Sequence, residues 1–441
     1  MMLYNAKKAI ILKIVYVAFL ATGTVFTLGF SVFNLSLYQI GKVFGTLSLS
    51  CLTLQLWMGA RVRLLERGIG LDTILRWHST NGRLTFLFML LHPTFLFVPL
   101  LFRGMSLQAL VSFFNVYHVL GITALLLTIF TIIVTVYQKE LKLNYEHWKI
   151  IHKVGYVIII LGFAHSFFVG TDIIFRRPLY YWWIGLSILA LSAVLYRYGA
   201  RRWLLRKSMY ETMKIVKENE HVRSIYLEPL RGKIFSYAPG QFAFVRFYTQ
   251  RLSSEEHHFT ISSSPLHNPL CFTVKESGDF TSQLDQLKKG DKAKIEGPFG
   301  TFSNVGMKGP FVCIAGGIGI TPLMSMIRYA QDTNGHEKTL LLYSAQTRAD
   351  LVFYDELEEL QKHATWFRVL YFLSKERRTE RKDKWYYGRI TPPHLQKHVS
   401  NFSASKFFVV GPEPMMEEMK NMLLQLGAQK RNIFTERFAL K

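Results

Sequence analysis

Six apolar runs long enough to cross a bilayer occupy the first 200 residues, and no other feature limits what this chain can fold into as strongly. They fall at about 9–36, 42–60, 80–101, 116–137, 150–169 and 179–199, against the roughly 20 residues a spanning helix needs. Lipid offers backbone N–H and C=O groups no partner, so each run has to satisfy its own hydrogen bonds as a helix. The first run is too long for the core of a signal peptide and others follow it, which makes it a retained helix.

The charges fall between the runs. Residues 1–207 hold 21 Lys and Arg against 5 Asp and Glu, a net of +16, and residues 208–441 hold 32 against 25, a net of +7. A basic chain can bind nucleic acid. Here the cations instead gather on one side of the spans, as cytoplasmic loops require, and no nucleic-acid partner is expected. Lys7 and Lys8 precede the first span, and Arg61, Arg63, Arg67 and Arg76 lie between the second and third. Lys139, Lys142 and Lys149 lie between the fourth and fifth, and Arg201, Arg202, Arg206 and Lys207 follow the sixth. The opposite side holds Lys42, Arg103, Arg176 and Arg177. This bias predicts a multi-pass plasma-membrane protein embedded in the lipid bilayer, with both termini and the later half cytoplasmic. Cys51, Cys271 and Cys313 form no disulfide framework and no CxxC pair.

After residue 208 the apolar period shortens. Ile225–Leu227, Phe242–Phe247 and Leu270–Val274, with turn residues between them, predict a small antiparallel β-barrel up to about 305. From 309 the runs Phe311–Ala315, Thr339–Tyr343, Phe367–Phe372 and Lys406–Val410 alternate with helical segments and predict a parallel α/β domain. The expected domains are 1–207, a six-helix membrane bundle, 208–308, a β-barrel, and 309–441, an α/β nucleotide-binding domain. No internal repeat is present.

Ionisable residues inside a bilayer are costly and default to functional candidates. The third span holds His78 and His92, and the fifth holds His152 and His165. Separations of fourteen and thirteen residues are about 21 Å and 19.5 Å on a helix, close to whole turns. Each pair therefore shares a face, with one His near each side of the membrane. Two such helices facing each other offer two sites, each with a His from either helix, which is a natural axial set for haem iron. The competing reading is hydrogen bonding between helices. His78 and His152 begin spans that leave the cytoplasm and are expected at the inner haem, with His92 and His165 at the outer. His118 has no sequence partner at this spacing and is read as structural or as a hydrogen-bonding residue near an acceptor. His147 is read as a solvated loop residue.

The later half carries an ordered series of short strings. They are Pro239-Gly240-Gln241-Phe242, then His257-His258-Phe259-Thr260 running on to Pro265, then Val274-Lys275 with Gly278-Asp279-Phe280-Thr281. Ala315-Gly316-Gly317-Ile318-Gly319-Ile320-Thr321-Pro322 follows an apolar strand and opens a helix, a turn that presents backbone N–H groups to a pyrophosphate. Tyr343–Arg348, Gly411-Pro412-Glu413-Pro414-Met415 and Thr435–Phe438 complete the series.

On these strings and the paired histidines, the chain resembles the NADPH oxidase and ferric reductase superfamily, most closely its compact bacterial NADPH oxidases, from about residue 50 onward. The resemblance implies FAD, two b-type haems and NADPH, with NADH as the alternative donor. It implies that His257 supports the flavin phosphates, Phe259 packs on the isoalloxazine and Thr260 bonds near its reactive nitrogen. It implies that Lys275, Gly278 and Thr281 serve the flavin pyrophosphate, and that Gly316, Gly317, Gly319 and Thr321 serve the nicotinamide nucleotide. Ser344 and Arg348 would clasp its 2′-phosphate, Gly411 and Pro412 would flank the nicotinamide, and Phe438 would cover the flavin. The chain has His258 where the family has Pro, and Val410 where the family commonly has Cys. The implied path runs from cytosolic NADPH through FAD, the inner haem and the outer haem to extracytoplasmic O2, giving superoxide. A ferric chelate and a partner redox protein are the alternative acceptors. The chain has no EF-hand loop, and no obligatory activator protein is expected.

Overall fold

The computed structural model describes residues 2–29, 35–102, 104, 106, 108, 115–205, 208–335, 337–376 and 384–436, with the backbone alone for 2–8, 64, 67, 72 and 171. Phe438, Arg103, Arg206 and Lys207 lie outside the described residues. The chain divides into two compact units, Met1–Arg202 and Trp203–Lys441.

The first unit is helical. Its long elements are α1 (Met2–Leu28), α2 (Leu37–Gly59), α3 (Leu71–Phe102), α4 (Val116–Val136), α5 (Tyr145–His152), α6 (Gly155–Val169) and α7 (Arg177–Leu195). Among the described residues, five segments are long and apolar enough to cross a membrane: Ala9–Leu28, Thr73–Phe102, Val116–Val136, Tyr145–Val169 and Arg177–Leu204. The predicted second span is the 23-residue α2, which is less apolar than these. Thr46, Ser50 and Thr53 are buried on it, facing protein, and Thr46 shares a 2.7 Å hydroxyl bond with Thr27 of α1. Lipid-facing stripes are apolar instead. Ile122, Leu126, Phe130 and Ile133 of α4 are all exposed, and their spacing places them on one face.

The fifth predicted span differs from expectation. It is two helices, with His152 ending α5 and His165 inside α6. Lys153 and Val154 close tight turns onto the carbonyls of Ile150 and Ile151 at 3.1 and 2.9 Å, and Gly155, a poor helix former, follows. His147 lies in α5 and is exposed, so its segment is helical where a loop was expected.

The second unit begins with an antiparallel sheet of β1 (Met209–Lys217), β2 (Val222–Pro229), β3 (Phe242–Tyr248), β4 (His257–Thr260), β5 (Leu270–Lys275) and β6 (Lys292–Phe299). The strand order is β4-β3-β6-β1-β2-β5, and a bridge from Ile261 to Phe272 closes it. Ile225, Leu227, Val245, Phe272 and Ile295 fill its interior. A second sheet follows, of β7 (Phe311–Gly316), β8 (Thr339–Ala345), β9 (Phe367–Leu373), β10 (Trp385–Tyr387), β11 (Lys406–Val410) and β12 (Ile433–Glu436). All its pairs are parallel, in the order β10-β9-β8-β7-β11-β12. The chain winds outward from β7 in one direction, then returns to its other side at β11. That reversal makes the carboxyl ends of β7 and β11 the switch point of the sheet, where open α/β sheets have their ligand crevice.

Candidate functional site

The four span histidines meet in two facing pairs. The rings of His92 and His165 lie 6.3 Å apart between centroids, and those of His78 and His152 lie 5.9 Å apart. Both members of the first pair are anchored by backbone. His92 Nδ1 is 2.8 Å from the carbonyl of Gly41, and His165 Nδ1 is 2.8 Å from the carbonyl of Tyr117. A Cβ on Gly45 would come within 2.8 Å of His92 Nδ1, and one on Gly121 within 2.8 Å of the His165 ring. Each ring thus lies against a helix turn that offers a carbonyl and, four residues on, a glycine. These bonds take up Nδ1 and leave Nε2 as the nitrogen directed to any metal.

The second pair is held differently. Tyr16 of α1 donates to Asn81 Oδ1 at 2.8 Å, Asn81 donates to Gln55 Oε1 at 2.6 Å, and Gln55 donates to the carbonyl of His78 at 2.9 Å. Asn81 also donates to the carbonyl of Cys51 at 2.8 Å. This chain of amides fixes α3 against α2 beside His78. Nδ1 of His78 and of His152 are buried and lack a hydrogen-bond partner among the described residues. Trp148 stacks on His152 with centroids 4.9 Å apart.

These pairs fit haem iron on their own geometry. A metal–imidazole bond of about 2.0 Å on each side, with the nitrogen about 1.1 Å from the ring centre, sets two centroids roughly 6 Å apart. Among the described residues no cluster of three or more His, Cys, Asp or Glu is placed to hold a metal ion. His118 lies at the start of α4 and forms a capping box with Asn115, with Nδ1 to Oδ1 at 2.8 Å. Its ring is also 6.2 Å from that of His165, on the outer side where the sequence reading placed it.

In the second unit, β4 brings two of the sequence strings together. His257 stacks on Phe280 with centroids 3.9 Å apart and lies 6.2 Å from Phe259, forming a ladder of rings. Glu255 is 3.1 Å from His257 Nε2. Thr260 is buried opposite Phe242. Lys275 is exposed at the end of β5. The Thr281 hydroxyl is used within its own turn, accepting from the Ser277 N–H at 2.7 Å and donating to the carbonyl of Gly278 at 3.2 Å. Arg328 ties the barrel to the α/β sheet, donating to the Ser262 carbonyl at 2.7 Å and forming a two-pronged pair with Glu356 at 2.6 and 2.7 Å. Burial opposes its charge, and the Glu356 pair outweighs this and raises its pKa.

The two glycine turns of the α/β sheet meet at the crevice. Gly316 ends β7, and a Cβ there would lie 2.5 Å from Met415 Sδ and 3.0 Å from Pro412. On Gly319 a Cβ would lie 2.4 Å from the Val410 carbonyl, so both positions exclude a side chain. Gly317 turns with φ of 54°, and Thr321 Oγ1 donates to the Ile318 carbonyl at 3.1 Å inside α8 (Ile320–Asp332). Ser344 pairs with Gly316 across the strand ends. Arg348 is exposed, with its guanidinium between Tyr354 and Trp385 at 5.3 and 5.0 Å. The backbone N–H of Arg348 donates to Glu376.

Several of these positions were not read from the sequence: Gln55, Asn81, Gly45, Gly121 and Arg328. An amide or a glycine inside an apolar span is the signal that marks four of them.

Three family models cover successive stretches of the chain. Residues 44–163 match the ferric reductase like transmembrane component, 209–313 an FAD-binding domain, and 313–421 the oxidoreductase NAD-binding domain. Among curated proteins, the reductase component of propane 2-monooxygenase from Mycolicibacterium goodii is 28% identical over 52% of this chain and 66% of its own length. The flavohemoprotein of Rhizobium meliloti is 26% identical over 54% of this chain and 60% of its own. The chain thus spans just under two thirds of the curated relatives it matches. Among solved structures, the FAD/NAD-binding domain of a nitric oxide dioxygenase from Vibrio cholerae aligns with 52% of this chain and 97% of its own, at 23% identity and a TM-score of 0.47.

Proposed function

From the premise that this chain has the domain architecture of the NADPH oxidase and ferric reductase superfamily, we propose that it carries electrons from cytosolic NADPH across the membrane to extracytoplasmic O2, forming superoxide. The observation that carries this reading is the pair of facing histidine couples at 5.9 and 6.3 Å, one toward each end of the bundle. When bound, FAD supplies the conversion of a hydride donor into single electrons, and two b-type haems supply one-electron carriage through the bilayer. His78 and His152 would hold the inner haem, and His92 and His165 the outer.

The remaining chemistry belongs to the chain. Gly316, Gly317 and Gly319 keep the crevice floor free of side chains, so backbone N–H groups and the start of α8 meet the NADPH pyrophosphate. Thr321 holds that turn, and Gly411 and Pro412 close its other wall. Ser344 and the aromatic-bracketed Arg348 face the adenosine phosphate, for which a guanidinium is suited. His257, Phe259 and Thr260 line the flavin side of the barrel, with Lys275, Gly278 and Thr281 at its pyrophosphate. Phe438, outside the described residues, is assigned the flavin cover by family position alone. Lipid surrounds the bundle, and the soluble unit faces the cytoplasm.

A ferric-chelate reductase is the second reading, favoured by the match of residues 44–163 to the ferric reductase component. One experiment separates the two. Purified protein with FAD, haem and NADPH is assayed for cytochrome c reduction with and without superoxide dismutase, beside an anaerobic ferric-chelate assay. Dismutase-sensitive reduction is the expected result. Insensitive reduction with fast anaerobic iron reduction would replace oxygen with iron as the acceptor. The pyridine–haem spectrum of the same sample should give two haems per chain, and absence of a Soret band would end the haem reading.

A further inference from the structure

The carboxyl end of α7 does not finish as an α-helix. After Leu195 it passes into a π-turn, Tyr196–Ala200. Such turns insert a residue and re-aim a side chain, and they recur at functional sites. Arg197 lies in this turn. Its Nη1 donates to the carbonyl of Gly59, the last residue of α2 and one of the carbonyls a helix end leaves unpaired. A Cβ on Gly59 would sit 3.7 Å from Arg197 Nη1 and 3.7 Å from Cε1 of His78. One bare backbone surface therefore faces both the guanidinium and the imidazole. Trp57 stacks on Tyr196 at 6.2 Å and donates to the Leu189 carbonyl at 2.9 Å, which fixes α7 against α2 at this level.

Among the described residues no carboxylate pairs with this guanidinium. A cation in an apolar bundle is expensive without an anion. A guanidinium has five donors in a planar fork, and Gly59 occupies one. We propose that Arg197 is the anion anchor of the inner haem site. Its fork takes a carboxylate of the haem between His78 and His152, and its charge favours that haem's reduced state. The inference rests on the haem reading above. Reduction adds one negative charge at the iron with no proton or leaving group. A fixed cation nearby therefore stabilises the reduced form over the oxidised one. Arg197 is a positioning residue, since it acts on the electron carrier through charge and orientation.

The test uses the full chain in detergent, loaded with haem, and compares wild type, Arg197→Gln, Arg197→Lys and Arg202→Gln. Arg202 is exposed and stacks on Tyr198 at 5.6 Å, so its variant removes the same charge one turn from the site. Haem per chain is counted from the pyridine spectrum, and each haem's midpoint is taken from optical redox titration. In Arg197→Gln one haem should show its reduced-to-oxidised ratio fall about tenfold at a fixed potential, or ~59 mV for a one-electron couple. The other haem should change by less than about twofold, as screening over a longer distance requires. Arg197→Lys should recover much of the shift, and Arg202→Gln should leave both haems as in wild type. Loss of one haem in Arg197→Gln, with both kept in Arg197→Lys, also supports the anchor. Two haems whose potentials ignore Arg197, or respond equally to Arg202, would overturn it while leaving the haem reading intact. A wild-type chain that binds no haem would overturn the haem reading itself and this inference with it.

Discussion

Gly45→Ala and Gly121→Ala test the outer histidine pair through its backing helices and leave the histidines untouched. In each variant a new Cβ lies 2.8 Å from an imidazole atom, whereas ordinary contact begins at 3.4 Å. The ring must retreat by about 0.6 Å, beyond the roughly 0.5 Å tolerance of a working ligand set. It cannot retreat freely, because His92 and His165 are bonded at 2.8 Å to the Gly41 and Tyr117 carbonyls. Moving the ring strains that bond, whose net worth is about 1 kcal/mol. Loss of such supporting bonds typically lowers metal affinity 10–100-fold, or about 1.4–2.8 kcal/mol. The expected result is a weakened or lost outer haem with the inner one retained, read as haem per chain and as the low-spin EPR signature. Gly185→Ala is the control, since a Cβ there meets nothing within 4 Å and alanine is the better helix former by up to about 1 kcal/mol. If both variants keep two haems with unchanged EPR spectra, the close approach of α2 to His92 and of α4 to His165 does not position these ligands.

Three further outcomes are expected. Arg348→Ala should raise the KM for NADPH about tenfold or more, as loss of a charge-assisted phosphate contact implies, and should leave the KM for NADH within about twofold. Equal changes would mean that Arg348 does not read the 2′-phosphate. Asn81→Leu should cut the chain from Tyr16 to Gln55 at a cost of about 1–2 kcal/mol, lowering Tm and inner-haem retention more than outer-haem retention. Equal retention of both haems would refute the assigned position of the network. Glu276 is held below the usual carboxylate range by the His221 hydrogen bond and by Arg223, whose guanidinium is 2.6 Å away. The stability it contributes is complete above the ordinary carboxylate pKa and is lost as pH falls through the depressed value. Glu276→Gln should therefore flatten the acid side of a Tm-versus-pH curve, and an unaltered curve would show the pair to be without effect.

The two halves of the chain were legible in the sequence for different reasons. The His spacings and five of the six expected spans follow from helix pitch and bilayer thickness, which act on single segments, whereas the expected second span is a helix less apolar than the others. The break between His152 and Gly155 escaped because it depends on local turn closure at Lys153 and Val154, which an apolar-run argument does not weigh. In the soluble unit, β3, β5, β7 and β11 announced themselves as apolar runs. By contrast β1, with its Glu211, Lys214 and Lys217, and the lysine-bearing β6 do not stand out as apolar runs, because their outward faces are charged. What positions the site was the least legible part. Gly45, Gly121 and Gly59 look like ordinary glycines in apolar helices, and only the facing helix reveals what their missing side chains admit. Yet the outer pair repeats one device twice, a carbonyl at Gly41 or Tyr117 and a glycine four residues later. Gly45 and Gly59 are also fourteen residues apart, the separation of His92 and His78 on the neighbouring α3. Two helices packed side by side at one rise per residue keep such separations in step. A glycine interval on one span that copies a histidine interval on the next is therefore a signal, carried by the sequence itself, for imidazole rings packed against bare backbone.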